Sequence, residues 1–118
     1  VLALREEVEA ALHDAHELDE MRLLADLRGG WRPDIGARRV ADADRLLGGE
    51  GTAATARLGL SERADPETIR EAALAGVREW REVESDPGLG HAGVTAARTV
   101  IRSIEGLLHD LEPDTRTR

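Results

Sequence analysis

Two long stretches of this chain place apolar side chains at alternating steps of three and four, the spacing of an α-helix with one apolar stripe. The first carries Val1, Leu4, Val8, Ala11, Ala15 and Leu18; the second carries Val94, Ala97, Ile101, Ile104, Leu108 and Leu111. A half-buried strand would alternate at every second residue, and no segment does so. The chain is therefore expected to be all-α.

Glycine pairs and prolines mark where the helices stop and start. A first helix over residues 2–28 closes at Gly29-Gly30, where glycine can take the left-handed conformation that ends a helix. A second is expected from Pro33 to Gly48-Gly49, and a short helical turn over residues 53–58 behind Thr52 as N-cap. Asp65-Pro66-Glu67 announces a third long helix reaching residue 84: Asp65 can accept from a free N–H, Pro66 sits where none is needed, and Glu67 favours the positive helix end. After a turn containing Pro87, the last helix spans residues 91–112 and stops at Pro113. The expected architecture is a compact bundle of four main helices, arranged as two αα-hairpins, plus a short connecting helix. Residues 1–112 form one domain and residues 113–118 a flexible tail.

A chain of 118 residues is long enough for one core. With no Phe, Tyr or Cys, that core is made of Leu, Val, Ile and Ala with two tryptophans, and no disulfide can brace it. On the 66–84 helix, Ile69, Ala73, Gly76, Trp80 and Val83 share a stripe, with Gly76 read as a notch for a neighbouring helix. Leu74 falls opposite, beside Arg70, Arg78 and Arg81, and these four are read as a partner contact. Val100 and Leu107 widen the stripe of the last helix, which is therefore expected at the centre of the bundle. On the first helix Arg22 takes the next stripe position while Met21, Leu24 and Ala25 shift the phase, so the helix bends or changes partners near residues 17–20. The same stripes would serve a homodimer.

Charge narrows the range of partners. The net charge is −8, distributed as −5 over residues 1–30, +1 over residues 31–60 and −4 over residues 61–118. Such a field repels phosphate, so neither nucleic acid nor an anionic membrane is expected as a partner. With no spanning segment and no signal-peptide layout at the N-terminus, the expected location is cytoplasmic. Arg32, Arg38, Arg39, Arg45 and Arg57 form the one basic neighbourhood; Asp34, Asp42 and Asp44 nearly neutralise it, and pairing with the acidic first helix or an acidic partner is expected. The chain begins at Val1 and reads as a piece of something longer.

Glu9, His13, His16, Glu17 and Glu20 are the one cluster with metal-ligand chemistry. The phase of the Val8 and Ala15 stripe puts them on the far side of the helix from the core, and no Glu precedes a His by three, as di-iron bundles require. They read as a solvated acidic face; a metal- or ligand-binding bundle on the His13/His16 face is the alternative. Glu105 and His109 read as a surface pair, His91 stands alone, and Ser61, Ser85 and Ser103 as loop or helix-surface residues. Trp31 either caps one end of the core or stays half exposed as a partner contact. No catalytic residue, metal ligand or cofactor is assigned.

Leu58-Gly59-Leu60, then residues 64–70, a helix ending at Trp80, a Pro-Gly turn, and Ala96-Ala97-Arg98 to Leu108 follow one another across residues 57–111. This order resembles the helix-turn-helix hairpin of J-domain co-chaperones. Where that family carries His-Pro-Asp, this chain has Arg81-Glu82-Val83. The resemblance implies a degenerate module that keeps the hairpin but lacks the motif from which stimulation of a chaperone ATPase would be presumed. The function expected from the whole sequence is a noncatalytic interaction or regulatory domain that binds another protein, or another domain of the same protein, through a helix face.

Overall fold

The computed structural model describes residues 2–31 and 35–111, and for residues 2, 3 and 13 the backbone alone. Five helices follow in order: α1 (Leu2–Arg28), α2 (Ala37–Leu46), α3 (Ala54–Arg57), α4 (Pro66–Glu84) and α5 (His91–Leu111). Among the described residues there is no strand, and the chain is an all-α bundle. The N–H of Gly29 returns to the Ala25 carbonyl at 2.8 Å and that of Trp31 to Asp26 at 2.9 Å, closing α1 around Gly30 at φ 103°. At the start of α4, Asp65 accepts from the Thr68 N–H at 2.7 Å. Hydrogen bonding from the Thr68 side chain, and then from this backbone N–H, holds the Asp65 carboxyl below its ordinary pKa.

Two helix starts differ from the sequence reading. Gly36 has φ 90°, outside the helical region, so α2 begins only at Ala37; the expected start at Pro33 lies outside the described residues. Thr52 does not cap α3; Ala53 precedes it in extended conformation, with no side-chain cap. Glu112, Pro113 and the tail also lie outside the described residues.

Helix α5 is the central element, packed against α4, α1 and α2. Ala97, Val100 and Ile104 are wholly buried, and Ala96, Ile101 and Leu107 nearly so. From α4 come Ala73, Val77, Trp80 and Val83, and from α2 Val40, Ala43 and Leu46. Trp80, Ile104 and Val100 each contribute roughly 1.5–3 kcal/mol by leaving water. Gly76 is the expected notch: a Cβ there would lie 3.3 Å from Ile104 Cδ1, so the α4–α5 hairpin closes over a missing side chain. Val77 joins the core from just beyond the expected stripe, and Ile69 is only half-buried.

Helix α1 overturns its own sequence reading. Every described side chain from Leu4 to Ala15 is exposed, and so are Leu18 and Met21; Val1, the first member of the expected stripe, lies outside the described residues. The residues that reach the core are Leu23 and Leu27, with His16 and Glu20 continuing their line toward the N-terminus. At 100° per residue, that inward line lies roughly 130° around the helix from the apolar stripe. Phase alone does not choose between two stripes when a helix outruns the body it packs on. Here α5 and α2 cover only the C-terminal half of α1, and the face they cover is the one with Leu23 and Leu27. The projecting half is reflected in the radius of gyration, 15.3 Å against about 13.5 Å expected for a compact chain of this length.

Candidate functional site

Two surfaces of α1 result: an inward one that is polar over its first turns, and an outward one that is apolar. On the inward side, α1, α3 and α5 meet at Glu20, Arg57 and Ser103. Arg57 closes α3 and donates Nε to the Leu46 carbonyl at 2.8 Å, satisfying an acceptor at the end of α2. Its Nη2 donates to Ser103 Oγ at 2.5 Å and stands 3.9 Å from Glu20 Oε2. The Ser103 hydroxyl donates in turn to the same Glu20 oxygen. His16 Nε2 lies 3.5 Å from Glu20 Oε1, while its Nδ1 is buried with no hydrogen-bond partner among the described residues.

Burial pulls the Arg57 guanidinium below its ordinary pKa, and the charges of Glu20 and then Asp110 oppose that pull. The arrangement therefore compensates partly desolvated charges. It positions α1 on α5, and nothing in it sets a nucleophile beside a free base.

Three expectations are corrected by this junction. His16 and Glu20 belong to the packed side of α1 rather than to a wet face, because the helix is rotated so that Leu23 and Leu27 point inward. Ser103 is buried at 3% exposure and is not a helix-surface residue. Glu105 does not serve His109 but reaches across to Arg81 at 3.3 Å, since the α4–α5 pairing places an arginine beside it. Of the basic neighbourhood, only Arg57 pairs with α1 among the described residues, through Glu20. Arg45 is spent on Asp42 and Arg38 stands near Asp42 and Glu79, while the other polar link runs the opposite way, from Arg28 of α1 to Asp44 at 3.1 Å and the Gly49 carbonyl at 2.6 Å. Arg32 and Asp34 lie outside the described residues.

Among the described residues no group of three or more His, Asp or Glu side chains is placed to hold a metal ion. Glu9 is exposed and paired with Arg5 at 3.5 Å, and the His13 side chain lies outside the described residues. Trp31, at 39% exposure, stands at the end of a groove of about 360 Å³ between α1 and α5. Asp19, Arg22 and Asp26 line it from one side and His91 and Arg102 from the other. Its mixed charges nearly cancel, and the Thr99 hydroxyl beside it is spent on the Thr95 carbonyl at 3.2 Å. Sequence reasoning left His91 alone because it is distant in sequence from the α1 residues it faces.

On the outward side, Leu4 is 66% exposed, Val8 52% and Leu18 53%, with Leu12 and Met21 flanking them. Ala11 and Ala15 sit in the same stripe and are also exposed. The second exposed feature is Leu74 on α4, at 40%, beside Arg70 and Arg78, which form no ion pair among the described residues. Arg81 of that group is engaged with Glu105. Arg81-Glu82-Val83 fall within α4, where Val83 is part of the core.

The chain is similar to the isoniazid-induced protein IniC of Mycobacterium tuberculosis, at 33% identity over 105 residues with the protein of strain CDC 1551 / Oshkosh and equally with that of strain ATCC 25618 / H37Rv. The match covers 86% of this chain and 20% of either relative, so the chain spans about a fifth of the length of the curated relatives it matches. No family model matches the chain, and no solved structure does. Among the described residues no helix is long and apolar enough to cross a membrane.

Proposed function

We propose that this chain is a noncatalytic helical interaction domain in which α2 to α5 and the inward face of α1 form the base, and the outward apolar face of α1 is the docking element. The observation that carries this reading is the exposed stripe of Leu4, Val8 and Leu18, joined by Leu12 and Met21. Leu4, Val8 and Leu18, with Ala11 and Ala15 between them, share one exposed face of a projecting helix, and an apolar patch of that kind marks an interaction site. The polar junction supports it: Arg57, Ser103 and Glu20 fix the angle at which α1 leaves the base, so the stripe is presented already ordered. Leu74 with Arg70 and Arg78 is a smaller second contact under the same reading, and Trp31 is a third.

A photo-crosslinking amino acid placed at position 8 or 18, in cells expressing the chain within its natural protein, tests this. Both positions are expected to yield a defined protein adduct that position 75, also exposed but on α4, does not yield. Absence of any adduct at positions 8 and 18 would contradict the reading. A thermal melt unchanged by either insertion confirms that the fold survives.

A further inference from the structure

We infer that the occupant of the α1 stripe is a second copy of this chain, bound as an antiparallel helix pair about a two-fold axis near residue 13. This deepens the docking reading above and rests on it. The stripe is complementary to itself when laid in reverse. In that register Val8 of one copy meets Leu18 of the other, and Ala11 meets Ala15, so two large contacts flank a centre of small side chains where the helices approach closely.

Leu12 supplies the second reason. It lies to one side of the stripe, one turn beyond Val8, and is 65% exposed. In the antiparallel pair it falls on the two-fold axis against Leu12 of the other copy. Charge decides between the two directions. Antiparallel pairing sets Arg5 against Asp19 twice, at the cost of one Asp14 facing its own copy near the axis. Parallel pairing sets Asp14 against Asp19 twice and gives Arg5 no acidic partner. Among the described residues Arg5 is held by an exposed i,i+4 contact with Glu9, and Asp19 is exposed, so both are available to re-pair. A two-fold contact of this sort uses the same patch on both copies and closes without leaving a surface for further growth.

The chain has no cysteine, so single-cysteine variants of the purified 118-residue chain read the geometry directly. Leu12→Cys is expected to form a disulfide-linked dimer under mild oxidation. Leu4→Cys is expected not to, because its counterpart would lie about 27 Å away along the helix pair. Light scattering coupled to size exclusion is expected to give about twice the 12.8 kDa mass of one chain, falling to the single mass for Leu18→Glu with unchanged helical circular dichroism. Equal cross-linking at positions 4 and 12 would overturn the antiparallel arrangement. A single-chain mass at all concentrations would overturn the self-pairing, and an adduct with a different protein in the photo-crosslinking experiment would then leave the docking reading standing without it.

Discussion

Ser103 of α5 and Glu20 of α1, 83 positions apart in sequence, share a hydrogen bond in which the serine hydroxyl donates to the carboxylate. Arg57 reaches the same two residues from α3, so one small polar cluster joins three helices. A half-buried charge is tolerated only while its partners stay in place.

Loss of Ser103 should therefore be felt through both of its neighbours. Ser103→Ala is expected to cost about 1–3 kcal/mol, the penalty for leaving partly buried polar groups without a bond. Glu20→Ala should destabilise by a similar amount, and the double variant by clearly less than the sum, because both substitutions break one cluster. Urea unfolding of the three variants measures the coupling. Strict additivity would mean that the two residues act independently.

The notch at Gly76 sets a limit on side-chain size in the α4–α5 contact. Alanine gains about 1 kcal/mol of helix propensity but brings a methyl to 3.3 Å from Ile104 Cδ1, which must shift by a few tenths of an ångström. The two effects are comparable, and Gly76→Ala is expected to stay within about 1 kcal/mol of the parent. Gly76→Val adds bulk that Ile104 cannot yield to, and should cost about 1–3 kcal/mol. Thermal melts of both variants separate the size effect from the propensity effect.

Ile101 and Leu74 should respond in opposite ways to a charge. Ile101 is 7% exposed in the centre of the bundle, and Ile101→Asp buries an unpaired carboxylate at several kcal/mol, against a total stability of about 5–15 kcal/mol for a domain of this kind. Unfolding is the expected outcome, seen as loss of helical circular dichroism. Leu74→Arg replaces a half-exposed side chain and should leave the melt unchanged.

Acid should loosen α4 from its N-terminal end. The carboxyl of Asp65 titrates below its unfolded value because the charged form is favoured by hydrogen bonding from the Thr68 side chain and then from the Thr68 N–H. Its stabilisation is complete above the ordinary aspartate pKa near 4 and is lost as pH falls through the lower folded value. Asp65→Ala is expected to lower the melting temperature by a few degrees at neutral pH, with the gap between variant and parent closing in strong acid. A gap that persists unchanged in acid would show that the cap's charge is not what matters.

Much of this fold is written in local sequence. Gly29-Gly30, Asp65-Pro66 and Pro87 bound their helices because each residue's backbone preference acts on the spot, and α5 is legible as the centre because its stripe is too wide for one neighbour. The orientation of α1 is not local. Its sequence holds two competing lines, one through Leu4, Val8 and Leu18 and one through His16, Glu20, Leu23 and Leu27, and the longer apolar line reads as the buried one. What decides between them is the length of helix that the base can cover, together with Arg57 and Ser103, whose approach to Glu20 is set by tertiary packing. The spacing of His16, Glu20, Leu23 and Leu27 at steps of four, three and four was the available signal, and its polar half concealed it.

The account turns on which side of α1 faces water, and thiol labelling measures that directly. In the dilute chain, Leu18→Cys is expected to react with a maleimide at nearly the rate of an unstructured peptide, and Leu23→Cys at least a hundredfold more slowly, at the rate of global opening. A protected cysteine at position 18 beside a reactive one at position 23 would show that the apolar stripe packs inward, and both the docking surface and the helix pair built on it would fall.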